Sequence, residues 1–489
     1  MSAPGIVRHL DSLAFGRMHR RVWALSAMGI MLDGFDFFIM GVAIPLIAKD
    51  FGSSPFEVGL ASSSAVVGAI VGAAVMGPLS DRIGRKLAFQ IDLSMFVVFA
   101  IASAFAPDVW WLIVFRFLLG VGIGADYPIA SSYVAEISPR TLRSRLLIGA
   151  FSFQAVGQLL GAVVGLVILS FDPAEGAWRW MLAFGVIPAV VIVFLRLGVP
   201  ESPMWLVETK RYTEAAEALT VFSGREVSVE EVRRVSGEEA VAGVFPPADK
   251  RVGPRTRRSL FTREMRGATA LTSVPWFLMD IATYGVGVFT PTILAALALS
   301  SSANTQFIAD DITSTEGAAF LDLFLVVGFA AALVLVRRIG LIRMQAIGFL
   351  VMAVGLVALG VTQFLPQDSP FQLSIIFIAF AAFNLFMNAG PNSTTFALPT
   401  IAFPTAIRGA GAGFAAAAGK TGAAVGTFFF PILHAALGLF WTLSIVGAGC
   451  LLALVVTLAL RGRAAGGVPP ETSATTIVDP GVARGLAAA

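Results

Sequence analysis

The sequence predicts an all-α membrane protein: twelve transmembrane helices in two pseudo-symmetric six-helix bundles. Three observations predict it. Apolar side chains make up 57% of the 489 residues and charged ones only 13%, against roughly 25% charged in an ordinary soluble domain. Mean hydropathy is +0.83. Apolar stretches of about 20 residues, each long enough to cross a hydrocarbon core, recur along the whole chain, so no remaining chain is available to bury them.

In order, the spans are expected at 22–47, 57–79, 87–106, 109–135, 143–170, 178–198, 267–297, 316–336, 344–364, 371–400, 407–433 and 435–460. Helices are expected throughout because unpaired backbone N–H and C=O groups are too costly in hydrocarbon. The 49 glycines allow close helix contacts. Residues 1–21 form an N-terminal segment, 22–198 and 267–460 the two bundles, 199–266 a solvated linker with short surface helices, and 461–489 a tail too rich in Ala, Gly, Pro and Thr to fold.

Loop charge gives the expected orientation. Arg8, Arg17, Arg20 and Arg21 precede span one; Arg82, Arg85 and Lys86 follow span two; Arg140, Arg143 and Arg145 follow span four. The linker is densely basic, and Arg337, Arg338 and Arg343 follow span eight. The intervening loops are poor in Lys and Arg, and the one near 299–315 carries Asp310 and Asp311 instead. All basic loops fall on one side, so both termini are expected in the cytoplasm, most simply of the plasma or inner membrane. The net charge of +3 therefore reads as topology and not as nucleic-acid binding. One cysteine, Cys450, excludes an intrachain disulfide, and the distant His9, His19 and His434 give no metal cluster. No nucleotide loop or Ser–His pairing suggests an enzyme. No cofactor is expected, and the expected assembly is a monomer in the bilayer.

The two halves are internally related. Asp81-Arg82-Ile83-Gly84 recurs as Arg337-Arg338-Ile339-Gly340, and Pro139 and Arg143 recur 265 positions later as Pro404 and Arg408. Repeats of this kind place a substrate site between the halves near mid-membrane.

Ionisable groups inside spans cost about 2.5–3.5 kcal/mol each and need an account. Those read as intramembrane are Asp33, Asp36, Asp92, Arg116, Asp126, Asp280, Asp322 and Lys420. Lys420 is the lysine lying deep in a span, and a buried ammonium needs a carboxylate or an anionic ligand. Asp126 and Gln154 are 28 positions apart, as are Asn392 and Lys420. The repeat maps one pair onto the other, so these groups are expected to face one another across the pseudo-two-fold axis. Trp276, Asp280 and Tyr284 follow at i, i+4 and i+8, on one helix face. The set is donor-rich with one positive charge, which suits a small oxygen-rich anion better than a sugar. Packing aromatics, interhelical glue and a structural Lys–Asp pair stand as the plainer alternatives. Asp92 and Asp322 have no evident partner in the sequence. Arg116, followed by Gly120, Gly122 and Gly124, reads as a packing and proton-relay element.

Gly77-Pro78-Leu79-Ser80-Asp81-Arg82-Ile83-Gly84-Arg85-Lys86 resembles the loop signature of the major facilitator superfamily, and Pro200-Glu201-Ser202-Pro203 with Trp205 and Leu206 resembles the motif after span six of its sugar-porter-like branch. Narrower motifs resemble the phosphate:proton symporter family: Gly122-Ile123-Gly124-Ala125-Asp126-Tyr127-Pro128 with Glu136, Trp276-Phe277-Leu278-Met279-Asp280 with Tyr284, Gly390-Pro391-Asn392 through Phe396, and Gly419-Lys420. Asp33-Gly34-Phe35-Asp36 is similar to its span-one motif. The resemblance implies the major facilitator fold and symport of phosphate with protons. It places the anion ligands on Tyr127, Gln154, Trp276, Asp280, Tyr284, Asn392 and Lys420. It places proton handling on Asp33, Asp36, Asp92 and Asp126, with Asp280 shared, and a gate on Asp81, Arg82, Gly84, Arg85 and Lys86. Ala125 departs from the family's second glycine, and Gly411 to Gly413 lack its histidine. Bacterial carriers of organic acids share several of these motifs, so symport of an organic anion stays open beside phosphate, as does a sensor that binds without transporting.

Overall fold

The computed structural model describes residues 15–139, 142–236, 260–298, 307–366, 370–403 and 408–463, and within these the side chains of Asp81 and Tyr127, among others, lie outside the description. Among the described residues, eleven helices are long and apolar enough to cross a membrane. A twelfth span, the seventh in order, is Arg266–Gly287 continued by Thr290–Leu297 across a 58° bend. Large apolar side chains such as Phe105, Phe171 and Phe194 stand on the outer surface, where a bilayer would cover them.

The halves pack alike. Span one (Arg17–Asp50) lies on span five (Arg143–Phe171) as span seven lies on span eleven (Arg408–Leu437). Span two (Pro55–Ile83) lies on span four (Val109–Ile137) as span eight (Phe307–Ile339) lies on span ten. Span three (Arg85–Ala104) meets span six (Ala177–Phe184 and Val186–Leu197) as span nine (Leu341–Val361) meets span twelve (Leu439–Ala459). Between halves, two meets eleven and five meets eight. The repeat read from the loops extends to backbone angles. Gly84 (φ 98°, ψ 159°) and Gly340 (φ 83°, ψ 152°) end spans two and eight with the same left-handed turn, a conformation that glycine adopts without a Cβ penalty.

Span ten is not one α-helix. Pro370–Met387 passes through a π-helical turn, Asn388–Asn392, into Ser393–Ala402. Pro391 has no N–H to give and its ring crowds the preceding turn; the Ser393 hydroxyl donates to the Asn388 carbonyl at 2.6 Å and replaces part of the lost ladder. Such turns are frequent at functional sites.

Span eight corrects one expectation. Asp311 is not in a loop but in the opening turns of the helix, and it is buried. The short polar run Asp310-Asp311-Ile312-Thr313 masks a helix that starts at Phe307. In the linker, Pro203–Glu208, Tyr212–Ser223 and Val229–Ser236 form three short helices around Trp205, Leu206, Leu219 and Val232; residues 237–259 of the linker and 464–489 of the tail lie outside the described residues.

Candidate substrate and proton site

Three of the expected anion ligands are joined directly. The Lys420 ammonium donates to the Tyr284 hydroxyl at 3.1 Å, and the Gln154 amide donates to the same oxygen at 3.0 Å. A phenol oxygen has two lone pairs and one hydrogen. With both lone pairs taken, the Tyr284 hydrogen points away from both partners. The three side chains come from spans five, seven and eleven, so the cluster bridges the halves. Lys420 also lies 5.8 Å from the Phe37 ring centre, and Phe37 meets Tyr284 edge-on at 5.4 Å. Asp280 is buried and close enough for its charge and that of Lys420 to act on one another.

Trp276 borders the cluster. Its indole lies against Gly419, the neighbour of Lys420, and edge-on to Phe396 at 6.4 Å. Phe396 stacks on Phe151 at 5.0 Å and 11°. Asn392 does not join Lys420 as its sequence spacing suggests. It donates to Asn388 at 2.6 Å within span ten, and Asn388 in turn donates to the Leu325 carbonyl of span eight. The π-helical turn shifts the register that a plain 28-residue spacing assumes. Tyr127 lies in span four, but its side chain is outside the described ones.

Four of the carboxylates expected to handle protons occupy the first half. Asp36 accepts two bonds from Arg116, at 2.6 and 2.8 Å, with both side chains almost fully buried. The pair ties span one to span four in a two-pronged geometry that matches guanidinium to carboxylate. Asp126 does not face Gln154 or the second half. Its partner is Arg196, at 3.0 Å, and Arg196 also reaches Asp92 at 3.3 Å. Asp92, which looked partnerless in the sequence, thus has a cation. The guanidinium further donates to the carbonyls of Phe89 (2.9 Å) and Leu25 (3.3 Å) and lies 3.4 Å from the Phe89 ring centre. Sequence reading missed Arg196 because it stands in the last turn of span six and passes for an end-of-span basic residue. Its spacing of four residues before Pro200-Glu201 is the one sequence signal it carries. A Cβ at Gly29 would collide with the Asp126 carboxylate and the Arg196 guanidinium, so glycine is what lets span one close over the pair.

One Oδ2 atom each of Asp33, Asp92 and Asp126 is buried with no hydrogen-bond partner. All three side chains line a cavity of ≈ 10 Å³ together with Gly29, Leu32 and Gly122, about the room a single water needs. Asp33 also feels the charge of Lys420. Lys420 therefore stands electrostatically between Asp280 and the first-half carboxylates.

The expected gate is a compact network. Arg85 bonds Glu136 at 3.1 and 3.3 Å and Ser80 at 2.8 Å. Glu201 accepts from the backbone N–H groups of Arg85 (2.8 Å), Lys86 (3.1 Å) and Ser202 (2.8 Å), the first two at the opening of span three. Ser202 donates to Glu136 at 2.5 Å, and the Tyr133 hydroxyl donates to the Pro200 carbonyl. Burial pushes the Glu201 carboxyl above the usual carboxylate range, and the three N–H donors and the Arg85 charge pull it back. Arg82 is exposed and stands outside this network among the described residues, and Lys86 enters it through its backbone.

Fold and site together define a membrane carrier of the two-bundle type. Residues 22–461 match the sugar (and other) transporter family, and the chain belongs to that family, within the major facilitator superfamily; it is a multi-pass integral membrane transporter and not an enzyme. It is 31% identical over 473 residues to the inner membrane metabolite transport protein YgcS of Escherichia coli K12, covering 96% of each chain. It is 29% identical over 485 residues to the low affinity inorganic phosphate transporter 8 of Medicago truncatula, covering 87% of this chain and 84% of that one. In fold it is similar to the xylose transporter XylE of E. coli in a partially occluded inward-open conformation, with a TM-score of 0.72 at 21% identity, over 94% of this chain and all of that one.

Proposed function

We propose that this protein is a proton-coupled symporter of inorganic phosphate working by alternating access, with both termini cytoplasmic. The observation that carries the reading is the half-buried ammonium of Lys420 between the two halves, which donates to the same Tyr284 hydroxyl that Gln154 reaches from the other half. A sugar site has no use for such a charge, whereas desolvating a small anion requires one. Tyr284, Gln154, Trp276 and Asn392 supply or orient neutral donors, with Tyr127 expected beside them. Asp280 is the switch. Ionised, it holds Lys420 and repels the anion; protonated, it donates and leaves Lys420 to the phosphate. Asp33, Asp92 and Asp126 around their shared cavity deliver the proton, and Asp36 with Arg116 fixes the helices that carry them. One net positive charge moved inward across 100 mV is worth about 2.3 kcal/mol, which gives roughly fifty-fold accumulation. Similarity to phosphate transporters over most of the chain supports the substrate class.

The stacked Phe151–Phe396 pair beside Trp276 favours a second reading, an aromatic carboxylate, and similarity to YgcS agrees with a metabolite. Radiolabelled phosphate uptake into proteoliposomes under an imposed pH gradient separates the two: arsenate competes on the first reading, benzoate on the second. Asp280→Asn is expected to abolish proton-driven uptake, and full proton dependence in that variant would overturn the switch.

A further inference from the structure

Span eight carries a column of buried polar groups that the site described above does not use. Asp311, Thr315 and Asp322 lie on the same buried stripe as Ala318, Leu325 and Phe329, at the i, i+4 and i+11 positions of one helix face. Each has a buried oxygen with no hydrogen-bond partner: Oδ2 of Asp311, Oγ1 of Thr315 and Oδ2 of Asp322. Span eight begins at Phe307 and ends at Ile339, which sets Asp322 at its middle. Asp311 stands about 16 Å nearer the end away from the basic loops, at 1.5 Å per residue.

Asp322 is 1% exposed, and among the described residues no cation pairs with it and no donor reaches it. The elements packed on span eight are spans one, five, nine and ten and the outer piece of span seven. Their titratable or charged side chains within the described set include Asp33, Asp36 and Lys49 of span one and Arg343 of span nine, and none bonds or pairs with Asp322. An uncompensated charge there is expensive, and Leu or Asn would serve packing more cheaply. Two clamps flank it. Asn384 donates to the Leu321 carbonyl at 3.0 Å, and Asn388 to the Leu325 carbonyl at 3.0 Å. Asn388 also accepts from Asn392 in the π-helical turn.

We propose that Asp322 is a second proton-carrying site, in the second half, loaded through Asp311 and Thr315 from the end away from the basic loops. The step is a plain acid–base exchange. The Asp322 carboxylate takes a proton passed from Asp311 along the column, by way of the Thr315 hydroxyl and water, and later returns it. Charging Asp322 between the two asparagine clamps strains the contact of spans eight and ten, and Asn388 passes the change to Asn392. This rests on the proton-coupled reading, but its first test needs no substrate.

Infrared difference spectra of the reconstituted full chain, titrated with pH in the absence of phosphate, are expected to show a protonated-carboxyl band that is lost in Asp322→Asn and regained in Asp322→Glu. An unchanged band in Asp322→Asn overturns the proposal. The second test uses inorganic phosphate as the probe. Asp322→Asn is expected to lower accumulation driven by a pH gradient at least ten-fold while leaving phosphate counterflow without a gradient within two-fold. Wild-type accumulation in that variant overturns the proposal. Monodispersity in detergent identifies a misfolded variant, and Asp322→Glu then carries both measurements. If the parent protein takes up no phosphate, the substrate reading fails while the infrared result still decides the proton site.

Discussion

Replacing Arg196 by leucine tests the electrostatics of the first bundle most directly. The guanidinium makes four polar contacts: Asp126 at 3.0 Å, Asp92 at 3.3 Å and the carbonyls of Phe89 and Leu25 at 2.9 and 3.3 Å. Its side chain is 1% exposed, as is that of Asp92, and that of Asp126 is 6% exposed, so solvent screens little. Removing one partner of such a buried pair costs about 3–5 kcal/mol, because the remaining charge is left uncompensated. Here two carboxylates are stranded together. Arg196→Leu is therefore expected to lose about 3–5 kcal/mol. Arg196→Lys should fall between, because an ammonium cannot span two carboxylates and two carbonyls at once. Adding Asp92→Asn and Asp126→Asn to Arg196→Leu should recover at least half of the loss. Unfolding of the purified protein in mixed micelles with rising SDS reads all three variants beside the parent. A deficit in Arg196→Leu below about 1 kcal/mol, or no recovery when both carboxylates are neutralised, would refute the reasoning.

Three further outcomes follow from the geometry. A Cβ at Gly419 would sit 2.5 Å from the Trp276 indole, whereas one at Gly413 meets nothing within 4 Å; Gly419→Ala should displace the indole by about 1 Å and raise the transport KM up to about a hundred-fold, with Gly413→Ala as the silent control, and equal KM values would remove Trp276 from the site. Tyr284→Phe takes away the acceptor shared by Lys420 and Gln154 and should weaken substrate binding about ten-fold, or about 1.4 kcal/mol, at unchanged expression; binding equal to the parent would argue that the cluster is structural. Glu201→Gln loses the charge on its bonds to the Arg85 and Lys86 N–H groups, each such bond contributing about 1.5–3 kcal/mol, so trypsin should cut the Arg82–Lys86 turn about ten times faster, and unchanged cleavage would place the gate elsewhere.

The sequence by itself determined the spanning pattern and the repeat. Apolar runs near bilayer length leave the backbone no choice but helices, and the Gly84 and Gly340 turns proved equivalent because each follows the same short motif. A lone lysine in mid-span pointed to a polar cluster, and Lys420 does bond the Tyr284 hydroxyl, which Gln154 bonds as well. Charge partners were another matter. Asp126 belongs to Arg196 and not to an axis shared with Gln154, Asp92 has the same cation, and Asn392 turns toward Asn388. Those pairings depend on how six helices cross and on a π-helical turn that displaces one register. Residue spacing along a single chain records neither, so only the packed bundle decides which buried charge answers which.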